Sequence, residues 1–247
     1  MGTPRIYQNQ PLLEGKAIQL DENGSNHLAR VLRLKEGHPV ILFNGTGGEY
    51  HGQISSISGK KVSVYLDFFN EADRRPHMHI HLGQVISKGT HMDYAIQKAV
   101  ELGVSEITPL FSQHCTVRLK GARLAKKVEQ WRHLVLAACE QSGLNIIPTV
   151  NKPISLQQWC EGNESHVKWI LHTEDLPTNP FSNQTTPDSV SFAVGPEGGF
   201  AEEEIELAKQ QGFHCLTLGP RVWRTETAPV VLLSLIQMQW GDFQEED

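Results

Sequence analysis

Hydrophobic and polar positions alternate in the first third of the chain in a way that predicts strands. Val62, Val64, Leu66 and Phe68 are spaced by two, the period that leaves one face of a strand buried. Val40–Phe43 and Glu49–Ile57 are two further strand candidates, separated by the glycine-rich turn Asn44-Gly45-Thr46-Gly47-Gly48. Between an N-terminal strand candidate and these, Leu28, Val31 and Leu32 fall on one helical face of Ser25–Arg33. Ser25 is the expected N-cap, and Arg30, Arg33 and Lys35 take the other face. The polar stretch Asn70–Pro76 reads as a linker. The pattern predicts a small β-rich domain over residues 1–72.

From about residue 77 strands alternate with longer helical stretches, which predicts an α/β domain over 73–247 with a largely parallel sheet. Strand candidates are His77–Ile86, Ile107–Leu110, Trp169–Thr173, Ser191–Val194 and His214–Leu218. Helices are expected over Met92–Leu102, Arg123–Gln141, Glu202–Gln211 and Thr227–Trp240. In the second of these Leu124, Val128, Trp131, Val135 and Ala138 recur at helical spacing. Leu176–Asp188, rich in Pro, Thr and Asn, is expected to be a loop.

Composition narrows the class. The longest apolar stretch, Ala228–Ile236, is interrupted by Pro229 and Ser234 and is too short to span a bilayer. The opening MGTPRIYQNQ lacks the apolar core of a secretory signal, and Cys115, Cys139, Cys160 and Cys215 are scattered. The expectation is a cytoplasmic protein with reduced, mostly buried thiols and no membrane partner. The net charge of −6 is unevenly spread: residues 1–133 hold 17 Lys+Arg against 12 Asp+Glu, and residues 134–247 hold 5 against 16. Arg118, Lys120, Arg123, Lys126, Lys127 and Arg132, opposed only by Glu129, form the densest basic run. That run suits either a solvated helix face or a phosphate backbone. His77, His79 and His81 share one strand face, but without a neighbouring carboxylate or cysteine they read as packed or hydrogen-bonded histidines; no metal is expected.

Two segments carry candidate chemistry. In Phe192–Phe200 a buried strand runs into Gly195-Pro196-Glu197-Gly198-Gly199, and Glu202-Glu203-Glu204 open the next helix. The glycines permit close backbone approach to a ligand. The pattern is neither GxGxxG nor GK[ST], and three glutamates at a helix start disfavour a phosphate there. In the second, Leu216-Thr217-Leu218-Gly219-Pro220-Arg221-Val222-Trp223-Arg224-Thr225-Glu226-Thr227, a strand again ends in Gly-Pro, and a Thr-Glu-Thr cluster has capping potential. Two such loops at the carboxyl ends of neighbouring strands make a ligand crevice in an open α/β sheet. Arg221 and Arg224 suit a phosphate or a base edge; an ion pair with Glu197 or Glu226 is the plainer alternative.

These loops resemble the signature pair of the RsmE family, the bacterial 16S rRNA (uracil-N3)-methyltransferases. Further similarity lies in His27-Leu28 with Val31-Leu32-Arg33, Lys88-Gly89 with Asp93, Ile96-Gln97-Lys98, Glu101-Leu102-Gly103, Pro109, and Glu140-Gln141-Ser142-Gly143, in order along nearly the whole chain. The resemblance implies a PUA-like RNA-binding β-barrel followed by a SPOUT-type parallel-sheet domain whose C-terminal part forms a trefoil knot. It also implies a homodimer, with which the apolar run Val230–Leu235 is compatible, although that run suits a monomer core equally.

The implied activity is transfer of a methyl group from S-adenosylmethionine to N3 of a uridine in 16S rRNA of the small ribosomal subunit. The implied cofactor residues are Leu171, His172, Gly195, Pro196, Glu197, Gly198, Gly199, Leu218, Gly219, Pro220, Trp223, Arg224, Thr225 and Ala228. Arg224 is expected to stabilise negative charge on the base, with Glu197 as a candidate base or a loop-holding residue. Arg30, Arg33, Lys88, Arg118 and Arg221 are the candidate RNA contacts. The chain departs from the family pattern at Leu144, where an arginine is expected, at Trp223, where an aliphatic residue is usual, and at Ala201, in place of a Ser or Thr cap. A catalytically silent RNA-binding or assembly factor on the same fold is the alternative, as is an enzyme acting on a small nucleotide.

Overall fold

The computed structural model describes residues 2–72, 74, 77–173, 181 and 185–243, so Arg75, Pro76 and most of the loop expected over Leu176–Asp188 lie outside the described residues. By internal contacts the chain forms two units: Met1–Arg75 with Cys139–Ile147, and Pro76–Ala138 with Pro148–Asp247.

The first unit is a five-stranded sheet. Its elements are β1 (Arg5–Tyr7), β2 (Ala17–Gln19), the short helix α1 (Glu22–Asn26), a π-helical turn (His27–Val31), β3 (Pro39–Phe43), β4 (Glu49–Ser58) and β5 (Lys61–Asn70). The strand order is β1-β3-β4-β5-β2, with only the β1–β3 pair parallel. Val62, Val64 and Leu66 are fully buried with Leu28, Val40, Leu42 and Ile54, as their spacing requires. Phe68 breaks the expected series: the register shifts between His51 and Gly52 on β4, and Phe68 turns outward to stack on the His51 ring, centroids 4.7 Å apart.

The helix of this unit starts earlier than the sequence suggests. Asp21, not Ser25, is the N-cap, accepting from the Gly24 N–H at 2.7 Å. Ser25 is buried, where its hydroxyl donates to the Leu20 carbonyl and accepts from the Val62 N–H. The π-helical turn then changes the angular step per residue. Leu28 points inward while Val31 and Leu32 are exposed, so the expected apolar face is not continuous.

A polar cluster closes this unit. Arg5 and Arg74 both bind the buried Glu49 carboxylate, and both donate to the Gly143 carbonyl. Asn145 accepts from Arg5 and donates to the Ala72 carbonyl. Burial alone would raise the Glu49 carboxyl; Arg5, Arg74 and His51 outweigh it and hold it at about 2. Leu144, between Gly143 and Asn145 in the chain, is buried.

The second unit contains β6 (His79–Val85), α2 (His91–Glu101), β7 (Glu106–Phe111), most of α3 (Gly121–Ser142), β8 (Thr149–Val150), β9 (Ile154–Ser155), α4 (Leu156–Glu161), β10 (Val167–Leu171), β11 (Ser189–Val194), α5 (Glu202–Gln210), β12 (His214–Leu216) and α6 (Ala228–Trp240). The sheet runs β12-β10-β11-β6-β7-β8, with β9 also on β7, and every pair is parallel. Its central strands read as near-continuous buried runs, the pattern expected of a parallel sheet covered on both faces. Gly83 on β6 is required by packing, since a Cβ there would lie 2.9 Å from Trp159 and from Leu110. Within the run Val230–Leu235, Leu232 and Leu233 are fully buried in this chain's own core, whereas Leu235 is exposed.

The histidines of β6 find the carboxylate that the sequence did not place near them. Glu106 on β7 lies 3.5 Å from His79 and 3.7 Å from His81. Asn151 donates to Thr108 Oγ1 and Trp159 Nε1 donates to His81 Nε2, which lies 2.8 Å from Thr108 Oγ1. Burial lowers His81 to about 4, so it is a neutral acceptor in a hydrogen-bonded network. The four cysteines form no disulfide, and burial pushes the Cys139 and Cys160 thiols up to about 12.

Candidate functional site

A cavity of about 620 Å³ opens at the carboxyl ends of β10, β11 and β12, the place where open parallel sheets hold ligands. Its size is that of a small-molecule site. Leu171 and His172 come from the end of β10, Val194–Gly199 from the loop after β11, and Leu216–Leu218 with Arg221–Glu226 from the loop after β12. Ala228 closes it at the start of α6, and His91 at the start of α2.

Thr225 holds the two glycine loops together. It is buried, its hydroxyl donates to the Gly195 carbonyl at 2.7 Å, and it accepts from Nε2 of the fully buried Gln84 at 3.0 Å. Its hydroxyl therefore serves the site and not the helix end: α6 begins at Ala228 with no side-chain cap from Thr227. Gly199 at φ +68 turns the first loop, and its N–H donates to the Pro196 carbonyl at 2.9 Å. No neighbouring atom lies within 4 Å of where a Gly199 Cβ would stand, so the wall is open there. His114, after β7, braces this loop through Nδ1, 3.1 Å from the Gly198 carbonyl.

The second loop is fixed from within. Thr217 Oγ1 donates to the His172 carbonyl at 2.8 Å, and Trp223 Nε1 donates to the Leu218 carbonyl at 2.7 Å. The indole at 223 thus closes a turn that an aliphatic side chain would leave without that bond, and the Arg221 guanidinium lies over its ring at 5.6 Å. Gly219, at φ +78, and Pro220 do not line the cavity; they form the bend that brings Arg221–Glu226 back to it. The other twelve predicted cofactor residues all do.

The plainer reading of the arginines is corrected. Glu226 pairs with His91, Nδ1 to Oε1 at 2.8 Å, and neither Arg221 nor Arg224 is in an ion pair with Glu197 or Glu226. Arg224, Arg221 and Glu197 are exposed side chains on the cavity wall. The charge map changes too. Within the basic run Lys127 is held by Asp93 at 2.9 Å and Arg132 by Glu129, while Arg118, Lys120, Arg123 and Lys126 are exposed. Arg30, Arg33 and Lys88 are also exposed, and Arg33 adopts a positive φ of 54°. Ala201 leaves the α5 N-terminus without a side-chain cap; the Glu204 carboxylate reaches back to the Ala201 N–H at 3.0 Å and also accepts from Gln113.

Sequence reasoning missed His91, Gln84 and His114. His91 reaches the site from α2, Gln84 from β6, and His114 from the loop after β7, segments distant in the chain with no local signature.

The site fits S-adenosylmethionine. The cavity combines apolar wall residues Leu171, Val194, Leu218 and Ala228 with exposed backbone at Gly198 and Gly199, and it has acidic as well as basic groups for a zwitterionic ligand.

Residues 74–237 match a family model described as an RNA methyltransferase domain, and residues 20–65 one described as an RNA methyltransferase PUA domain. Among curated proteins, the ribosomal RNA small subunit methyltransferase E of Buchnera aphidicola subsp. Schizaphis graminum is 34% identical, with 97% of each chain covered. That of Bacillus subtilis is 30% identical over 93% of each. Among solved structures, a putative methyltransferase from Legionella pneumophila in complex with the bound cofactor SAM superposes with a TM-score of 0.94 at 40% identity, covering 98% of this chain and 100% of that one. The ribosomal RNA small subunit methyltransferase E of Neisseria gonorrhoeae, bound to S-adenosyl methionine, gives 0.91 at 33% identity, with 98% and 100% covered. An all-parallel α/β domain of SPOUT type with its ligand cavity at the carboxyl edge, joined to a PUA-like sheet unit, accounts for the match along the whole length: this chain belongs to the RNA methyltransferase family that contains the ribosomal RNA small subunit methyltransferase E proteins.

Proposed function

We propose that this protein transfers the methyl group of S-adenosylmethionine to N3 of a specific uridine in 16S rRNA of the small ribosomal subunit. The observation that carries the reading is the cavity of about 620 Å³ between two loops pinned by Thr225, in a chain 40% identical to one solved with SAM bound. When bound, the cofactor supplies an electrophilic methyl group. The chain's own residues do the rest.

Gly195–Gly199, Leu218 and Trp223–Thr225 hold the cofactor, with Leu171, His172 and Ala228 lining it. Gly219 and Pro220 shape the loop from behind. Arg224 stabilises the negative charge that develops on the uracil as N3 loses its proton. Glu197, exposed at the rim, is one candidate for the proton acceptor. The target base must leave its stack before its edge reaches Arg224. Arg30, Arg33, Lys88, Arg118 and Arg221 contact phosphates and fix the rRNA in register.

In this reading residues 1–72 form the RNA-binding domain and 73–247 the methyltransferase domain. The last strands and helix form a trefoil knot, and the protein works as a homodimer in the cytoplasm. Intact loops and an open cavity speak against a silent assembly factor.

The test is transfer of label from S-adenosylmethionine to small subunits lacking the modification, with the labelled nucleoside identified. Label in N3-methyluridine at one site is the expected result. Cofactor binding without transfer to this RNA would overturn the substrate assignment, and no cofactor binding would overturn the enzymatic one.

A further inference from the structure

One titratable pair on the cavity wall has no task in the reading above. His91, the first residue of α2, bonds through Nδ1 to Glu226 Oε1 at 2.8 Å. A ring nitrogen facing a carboxylate carries the hydrogen, so Nδ1 donates and the neutral ring keeps its lone pair on Nε2. The Glu226 side chain is 13% exposed and that of His91 38%, so the pair runs from an anchored carboxylate outward to an accessible imidazole. Both ends stand on fixed backbone. Glu226 follows Thr225, which is tied to Gly195, and the His91 N–H donates to the Lys88 carbonyl. Arg224 borders the same cavity.

We infer that His91, oriented by Glu226, is the general base that takes the N3 proton of the target uracil. The inference rests on the proposed function and assigns a step that reading leaves open. The N3–H bond breaks and its proton passes to His91 Nε2. The electron pair left on N3 forms the bond to the methyl carbon, while the carbon–sulfur bond breaks with its pair returning to sulfur. The uracil exchanges a proton for a methyl group, the sulfonium becomes a neutral thioether, and the imidazolium later releases its proton to solvent. An imidazole is about two units more basic than a carboxylate in model peptides, which makes it the better acceptor for a weakly acidic N–H. The Glu226 carboxylate offsets the charge that forms on the ring, as the acidic member of a catalytic triad does.

The other ionisable groups around His91 are few. The cavity wall adds Glu197, His172, Arg221 and Arg224. Its own segment adds Lys88 and Asp93, the latter held by Lys127 and Trp131 of α3. Helix α6, which packs on α2, carries no charged residue.

The experiment uses the full chain and unmodified small subunits, with S-adenosylmethionine as the methyl donor. His91→Gln is expected to lower kcat about 100-fold and to remove the acid limb of the pH–rate profile, with cofactor affinity by calorimetry unchanged. Imidazole added to His91→Gly restores turnover. Glu226→Gln keeps the base but lowers kcat, because an amide no longer offsets the charge that forms on the ring. In the free protein, ¹⁵N shifts of His91 report the Nδ1–H tautomer. Wild-type kcat and pH profile in His91→Gln, collapse of cofactor affinity without rescue by imidazole, or an Nε2–H tautomer would each overturn the assignment. If the wild type binds the cofactor yet methylates no uridine, the functional reading fails first and this one with it.

Discussion

The Thr225 hydroxyl donates to the Gly195 carbonyl at 2.7 Å and so joins the loop after β12 to the loop after β11. The bond is buried and backed by Gln84. Thr225→Val keeps the shape but leaves the Gln84 amide and the Gly195 carbonyl without their partner, at a cost of about 1–3 kcal/mol. Cofactor affinity by calorimetry is expected to fall about tenfold. Thr225→Ser, which keeps the hydroxyl, stays close to wild type; an unimpaired valine variant would show that the loops do not need the bond.

Arg224→Ala should act on turnover. With its donor gone from the developing anion, kcat is expected to drop about 100-fold or more. Arg224→Lys recovers only part of this, because an ammonium lacks the planar two-pronged donor. Single-turnover methyl transfer at saturating rRNA separates this loss from weaker binding.

The exposed arginines are expected to act through salt. Arg118→Ala or Arg30→Ala should weaken rRNA binding and reduce the slope of log affinity against log salt by about one per lost phosphate contact. Lys127→Ala, which removes a lysine already held by Asp93, should leave the slope unchanged. Filter binding across a salt series reads both.

Acid should loosen the two units in different windows. His81 is held at about 4 against a usual 6.5, so its share of stability is complete above 6.5 and is lost as pH falls toward 4. Glu49 is held at about 2 against a usual 4.5, so its share is lost only as pH falls from 4.5 toward 2. Hydrogen exchange should show β6 amides losing protection at higher pH than those of β4. Glu49→Gln, which leaves Arg5 and Arg74 without a charged partner, should cost about 2 kcal/mol at neutral pH and flatten the lower window.

Much of this was legible in the sequence where the signal is local. Val62, Val64 and Leu66 are buried as their alternation requires, and the two Gly-Pro loops lie at the cavity because each follows a buried strand directly. The failures have physical causes. Ser25 looks like a cap, but Asp21 is free to turn back on Gly24 and takes the role. Val31 and Leu32 are exposed because a π-helical turn shifts the helical phase, and Phe68 because a register shift interrupts the strand period. The Ser155–Gln158 capping box of α4 is a local start signal of the same kind. Pairs such as Gln84 with Thr225, or His79 with Glu106, join distant parts of the chain and leave no trace in local spacing. The knot proposed above has no counterpart in periodicity either, since unthreaded connections are the rule.

The polar cluster of the first unit has a consequence for biosynthesis. Arg5 and Arg74 emerge early during translation, but the Gly143 carbonyl and Asn145 that complete their coordination are made some seventy residues later than Arg74. Until then Glu49 has its two cations, yet the backbone acceptor and the amide that fix them are missing. The N-terminal unit of this chain therefore cannot finish folding first, in the order in which domains usually leave the ribosome; its last stitch waits for the end of α3, after the second unit has begun.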